Sequence, residues 1–321
     1  MNKIFCISDI SKFRSELMGW AIMWIMMLHF TFITIKPLGF IAQYGFAGVD
    51  IFMLVSGFGL YFSLDNNGNI SSYLRRRLIR IFPTYYLIGI VSSLIIFHDN
   101  IPTYLFRYST VGFWSNGIYW EWYIPSIVAL YFVAPLFKKT IDNGYNIVIS
   151  TIIVLLLVMS FIIVSQEIVN PKDPHFFFLY RTPEFILGMI CAFWTKKGIT
   201  IKYFYCILLL GIPFFILLFP KHHDIYNYKY LSLTFLLPIF VISFTSISKL
   251  TKPINPMISL IGKASLEIYL IQAIFFQAII TNKLTINQTW HDGITILLII
   301  ICILLGILSH WIINKYVLVC K

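Results

Sequence analysis

A histidine and an aspartate stand at matching places in two neighbouring apolar runs. His29 closes the run Ala21 to Leu28, and Asp50 opens the run Ile51 to Val55. An ionisable group in hydrocarbon costs at least ~2.5 kcal/mol, so a pair at one depth reads as a functional site by default. An aspartate hydrogen-bonded to one ring nitrogen fixes the tautomer and makes the other nitrogen a better base. Such a pair suits proton abstraction from a weak nucleophile, a hydroxyl for instance. The competing reading is a histidine that only bonds one helix to the next. Residue types alone leave both open.

Other polar residues fall at the same level. Glu121 stands between Trp120 and Trp122, and Arg181 and Glu184 are three apart. Glu121 reads equally as an interfacial anchor in a tryptophan belt, and Arg181 with Glu184 as a self-neutralising pair. Candidates to stabilise a developing oxyanion are Arg181, Tyr123 and Ser56, and the sequence does not choose among them. At the other end of the third apolar block, Arg75, Arg76, Arg77 and Arg80 form a basic cluster in which Arg77 and Arg80 share a helix face. Arginine grips phosphate through a planar bidentate fork, although basic clusters also do no more than set membrane topology. The pair His222-His223 reads as solvated rather than metal-binding.

Elements able to carry these residues follow from composition. Apolar residues make up 59% of the 321 and charged ones 12%, more apolar surface than a soluble domain of this length can hide. The apolar blocks are long enough to cross a ~30 Å hydrocarbon core. Ten are expected: 15–34, 44–64, 81–98, 118–137, 146–165, 177–195, 203–220, 230–248, 259–281 and 293–314. With the N-terminus inside, 17 of the 24 lysines and arginines fall on inner segments, as the positive-inside rule requires. The expected fold is therefore all-α: a polytopic membrane bundle of about ten helices with both termini cytoplasmic. It forms a single domain over 1–321 with no fused extracytoplasmic domain. The net charge of +11 is accounted for by flanks lying against anionic headgroups, which excludes a nucleic-acid face. No cleavable leader is read, and five scattered cysteines suggest neither a disulfide framework nor a metal site.

The motifs resemble one family. Glu16 to Ile22 with His29, then Gly48-Val49-Asp50-Ile51-Phe52 through Phe58, are similar to the family-3 membrane acyltransferases. So is Tyr73-Leu74-Arg75-Arg76-Arg77-Leu78-Ile79-Arg80-Ile81-Phe82-Pro83. Arg181-Thr182-Pro183-Glu184-Phe185 and Gly262-Lys263-Ala264-Ser265-Leu266-Glu267 complete an ordered set over nearly the whole chain. The resemblance implies an O-acyltransferase of a bacterial cytoplasmic membrane. It would move an acyl group, most often acetyl, from acyl-coenzyme A as co-substrate to a hydroxyl of a surface carbohydrate or lipid-linked sugar, with no bound cofactor or metal. It assigns the base to His29, with Asp50 beside it, and donor contacts to Arg77 and Arg80 within the 75–80 cluster.

Two positions depart from the family pattern. Met18 stands where many members have arginine, so a donor role there passes to Arg14 or to the 75–80 cluster. Gln272 stands where many have histidine, and is kept as a weak acceptor-site candidate. The rival reading from another class is a transporter or flippase for a lipid-linked glycan, whose buried charges would line a path; a purely scaffolding membrane subunit fits the buried charges poorly.

Overall fold

In hydrocarbon a backbone must satisfy its own N–H and C=O groups, and a helix does so within one segment. The computed structural model describes residues 4–30, 36–65, 69–117, 121–143, 176–198, 201–202, 225–281 and 291–317, and these are almost wholly helical. In order they are α1 (Asp9–Lys12), α2 (Arg14–His29), α3 (Lys36–Ala42), α4 (Ala47–Asp65) and α5 (Ile70–Gly89), which runs on as a π-helix over Ile90–Ile96. Then come α6 (Ile101–Tyr108), α7 (Val111–Asn116), α8 (Tyr123–Asp142), α9 (Phe176–Lys196), α10 (Ile225–Leu250), α11 (Asn255–Lys263), α12 (Ser265–Ile280) and α13 (His291–Tyr316). The strand pairing among the described residues is a two-residue antiparallel contact of Ile4–Phe5 with Ile201–Lys202.

Four helices are long and apolar enough to cross a membrane: Ala47–Asp65, Ile70–Ile96, Tyr123–Asp142 and Gly293–Tyr316. A fifth is added if α11 and α12, bent by 70° at Ala264, count as one broken span. The described residues thus hold four or five candidate crossings, and the expected ten are not established among them. The expected spans 146–165 and 203–220 lie outside them. Boundaries also differ. The third span starts at Ile70 instead of 81, because Asn69 caps it by accepting from the Ser71 N–H at 2.9 Å. The arginine cluster is therefore inside a helix, as the shared face of Arg77 and Arg80 requires. The first helix stops at His29, and the fourth starts at Tyr123, so Glu121 precedes it.

The core is built around α4, which is buried along most of its length and meets α9 over its largest contact. Asp50, Leu54 and Gly57 recur at i, i+4, i+7 on one face of α4. Arg181, Phe185 and Gly188 do the same on α9. The two stripes meet, with Gly57 against the Phe185 carbonyl and Gly188 against the Leu54 carbonyl. Small residues allow helices to approach this closely in lipid. Gly188→Leu is expected to force α4 and α9 apart and to destabilise the bundle by about 1–3 kcal/mol or more, the usual cost of overpacking. A detergent melt of the purified variant checks this; an unchanged Tm would contradict it. At the end carrying the arginines, Lys196 and Lys138 both reach Asp65, at 2.7 and 3.3 Å, and tie α9 and α8 to α4.

Candidate active site

At the basic end a narrow cavity enters the bundle. Its mouth is formed by Arg14 of α2, Arg77 and Arg80 of α5 and Lys263 of α11. Further in it is lined by Met18 and Ile25, by Phe52 and Ser56 of α4, by Tyr123 and Tyr131 of α8, and by Tyr269 of α12. Among the described residues four cations line it and no carboxylate does. The guanidiniums of Arg14, Arg77 and Arg80 are near enough to repel one another, and the Arg14 Nε is buried without a hydrogen-bond partner. Cations gathered against their own repulsion, with no counter-charge among them, make a site for an anion. Arg14 is packed so closely over Gly59 that a side chain there would displace it.

Of the four clustered arginines, Arg77 and Arg80 line the cavity, and Arg76 lines a space next to it. Arg75 is exposed and lines neither. At ~100° per residue it lies about 200° round α5 from Arg77, so the expected grouping of Arg75 with the donor contacts is not met.

The cavity lining on α2 runs from Arg14 to Ile25, eleven residues or about 16 Å of helix. His29 follows one turn later, as the last residue of α2. Its ring stacks on Phe276 of α12 at 4.7 Å between centroids. The fully buried Gln272 side chain, one turn earlier on α12, reaches towards it. His29 Nδ1 is buried with no hydrogen-bond partner, and neither amide atom of Gln272 closes a hydrogen bond. At the cavity's inner end the Tyr123 hydroxyl lies within reach of Ser56, and the Tyr123 N–H donates to the Tyr269 hydroxyl at 3.4 Å.

Asp50 is not hydrogen-bonded to His29. Its Oδ1 faces the Arg181 Nε at 3.3 Å, and Oδ2 has no hydrogen-bond partner. The causes are the register and the azimuth of α4 against α2. Gly48 faces Ala21 and Ile25 of α2, and Asp50, two residues on, is turned about 200° away towards α9. Arg181 also lies under the Trp122 ring, 5.1 Å from its centroid, so Asp50, Arg181 and Trp122 join α4, α9 and the approach to α8. Glu184 is fully buried on the same helix, three residues after Arg181. Asp50→Ala should cost about 3–5 kcal/mol, the usual cost of removing one partner of a buried ion pair. Adding Arg181→Met should recover most of that. Melting curves of the single and double variants check the pair, and a double variant no more stable than the single would contradict it.

Glu121 is also engaged elsewhere than expected. Arg107 of α6 holds it with Nη2 at 2.5 Å and Nε at 3.3 Å. The Tyr108 hydroxyl donates to the same carboxylate at 3.2 Å, and Arg107 donates to Gln277 at 2.9 Å. Burial works against the Arg107 charge, but Glu121 outweighs it and holds the pKa above its ordinary value. Arg107 and Gln277 escape a sequence reading because the pairing crosses 14 and 170 residues. So Glu121 anchors α6 to α8, while the expected five-residue outer cluster is split into two ion-paired groups and a separate histidine.

A family model described as an acyltransferase domain matches residues 17–315. The chain belongs to the acyltransferase 3 family. Within it, the putative acetyltransferase ORF330 of Acidianus two-tailed virus is 28% identical over 183 residues, 54% of this chain and 53% of that protein. The acyltransferase MdmB of Streptomyces mycarofaciens is 26% identical over 106 residues, 33% of this chain and 24% of that one. The chain thus spans about half the length, or less, of the curated relatives it matches. No solved structure matches it. The matched region takes in His29, the Arg77–Arg80 pair and the whole cavity except Arg14.

Proposed function

We propose that this chain is a membrane O-acyltransferase. It would take an acyl group, acetyl first, from acyl-coenzyme A at the cytoplasmic side of a bacterial cytoplasmic membrane and pass it to a hydroxyl of a surface polysaccharide or lipid-linked sugar. The observation that carries this is the cavity with four cations at its mouth, no carboxylate and a lining that ends one turn from a histidine. Coenzyme A has the matching form: phosphates at one end, a long thin arm and a thioester at its tip. Phosphates at Arg14, Arg77, Arg80 and Lys263 would leave the arm to run the ~16 Å to Ile25 and Tyr123.

His29 takes the proton of the acceptor hydroxyl as that oxygen attacks the thioester carbonyl. The tetrahedral oxyanion is met by the Tyr123 or Ser56 hydroxyl at the inner end of the cavity. Its collapse breaks the carbon–sulfur bond, and the departing thiolate recovers the proton from His29. The products are an O-acyl ester and free coenzyme A. Asp50 contributes by fixing Arg181 and thereby the α4–α9 wall, Glu184 and Glu121 as buried polar groups of the walls, and Gln272 by flanking the His29 ring.

The transport reading requires that the same cavity conduct a glycan without cleaving anything. Acetyl-coenzyme A given to the purified protein separates the two. Slow release of free thiol, lost in His29→Ala, is expected of the enzyme. No thiol release, with or without candidate hydroxyl acceptors, is expected of a transporter and would overturn the proposal.

A further inference from the structure

On the other side of Arg77 and Arg80 from the donor cavity, α5, α12 and α13 enclose a cleft. α12 packs against both of the others, while α5 and α13 barely touch among the described residues, so the cleft is open along its length. At the basic end it holds a space of about 430 Å³ lined by Arg76, Arg77, Arg80 and Lys263. One carboxylate, Glu267, also lines it. That carboxylate is engaged by His310 Nδ1 at 3.1 Å, whose Nε2 lies 2.9 Å from the Asn314 amide nitrogen. One to two turns further along the same three helices the walls become aliphatic. A space of about 890 Å³ runs between Leu87 of α5, Val91 of its π-helical continuation, Ile271 and Ile274 of α12, and Leu305 of α13, with His98 and Ser309 as its polar lining residues and Ile312 level with the basic end.

We infer that this cleft holds an anionic, phosphate-bearing lipid of the leaflet at the basic end. Its phosphate would lie among Arg76, Lys263 and the shared arginines, and one hydrocarbon chain would run up the aliphatic part. Four cations against one engaged carboxylate attract a phosphate, and basic pockets between membrane helices are suited to such headgroups. A soluble phosphate would leave the 890 Å³ apolar space unfilled, and a neutral lipid would leave Arg76, which the donor cavity does not share, unmatched. One amphiphile satisfies both, and the open side admits it from the bilayer.

The test uses no donor, so its outcome is independent of the acyl-transfer proposal. The full chain is purified with equal amounts of phosphatidylglycerol and phosphatidylcholine carrying the same chains, and the retained lipid is read by native mass spectrometry. Preferential retention of phosphatidylglycerol, roughly tenfold, is expected. Lys263→Ala and Leu305→Trp, which act on the two ends of the cleft, should each reduce it at least fivefold; Ile274→Phe replaces Leu305→Trp if that variant does not fold. Equal retention of both lipids, or unchanged retention in both variants, would overturn the inference. So would displacement of phosphatidylglycerol by millimolar inorganic phosphate, which would leave the apolar part without a role. A dimer in the wild type that Leu305→Trp dissociates, with lipid retention unchanged, would assign the cleft to a second copy instead.

Discussion

His29→Ala and His29→Gln are expected to reduce acyl transfer by about 10²–10⁴-fold, the contribution of a positioned general base, while the protein still inserts and folds. The ring stands one turn past the inner end of the cavity, with Nδ1 buried and unpartnered. Its one ring-stacking partner among the described residues is Phe276. A histidine that served only to pack against Phe276 would behave differently. Glutamine, similar in size and able to hydrogen-bond, would then restore activity, and Phe276→Leu would do as much damage as His29→Ala. Transfer rates for the three variants, measured beside their melting temperatures, separate the roles. More than about a tenth of the wild-type rate in His29→Gln would rule out the base.

Arg14→Ala, Arg77→Ala and Arg80→Ala should each raise the apparent KM for acyl-coenzyme A ten- to a hundredfold and leave that for the acceptor little changed. On the proposed reading each would remove a charge-assisted phosphate bond worth ~1.5–3 kcal/mol. Arg75→Ala should do far less, since Arg75 is exposed and lines neither basic space. Helix α5 carries both, so the contrast between Arg77 and Arg75 sets phosphate binding apart from a general effect of positive charge on topology. If all four arginines gave the same KM, or if the loss fell on the fraction of protein inserted, the cluster would be a topology signal alone. Lysine at position 77 should recover only part of the affinity, because an ammonium lacks the bidentate fork.

Much of the bundle is legible in the sequence because apolar blocks of bilayer length leave the backbone little choice but helix. The basic cluster is legible too: Arg77 and Arg80, three apart, had to share a face once the segment was helical. What the sequence does not carry is azimuth. Depth counted along the sequence puts His29 and Asp50 at similar heights, but the register of α4 on α2, with Gly45 against Leu28 and Gly48 against Ala21, sets Asp50 about two turns below His29. Which way Asp50 turns, however, is set by Gly48 meeting α2 and Gly57 meeting α9, and that decides its partner as Arg181. Glu121 shows the same limit, since its partner Arg107 sits on a short helix, α6, that no hydrophobic block announces. Arg14 was reachable by a simpler route. It lies one turn before Met18, hence on the same face of α2, and both line the cavity. The bend of 70° at Ala264 was not legible, although it is what brings Lys263 to the cavity mouth beside Arg77.

The route of the acyl group is the central claim, and sidedness tests it most directly. Membrane vesicles from cells making the protein are prepared in both orientations and given radiolabelled acetyl-coenzyme A in the bath, which does not cross the bilayer. If the basic end is cytoplasmic, as the proposal requires, it faces the bath in inside-out vesicles, so label should pass into ester-linked glycan or glycolipid protected in the lumen, and His29→Gln should stop it. In right-side-out vesicles the same bath donor should label nothing. Label that appears only on acceptor exposed to the bath in inside-out vesicles, or equally from both sides, would contradict a donor path from the arginines to His29.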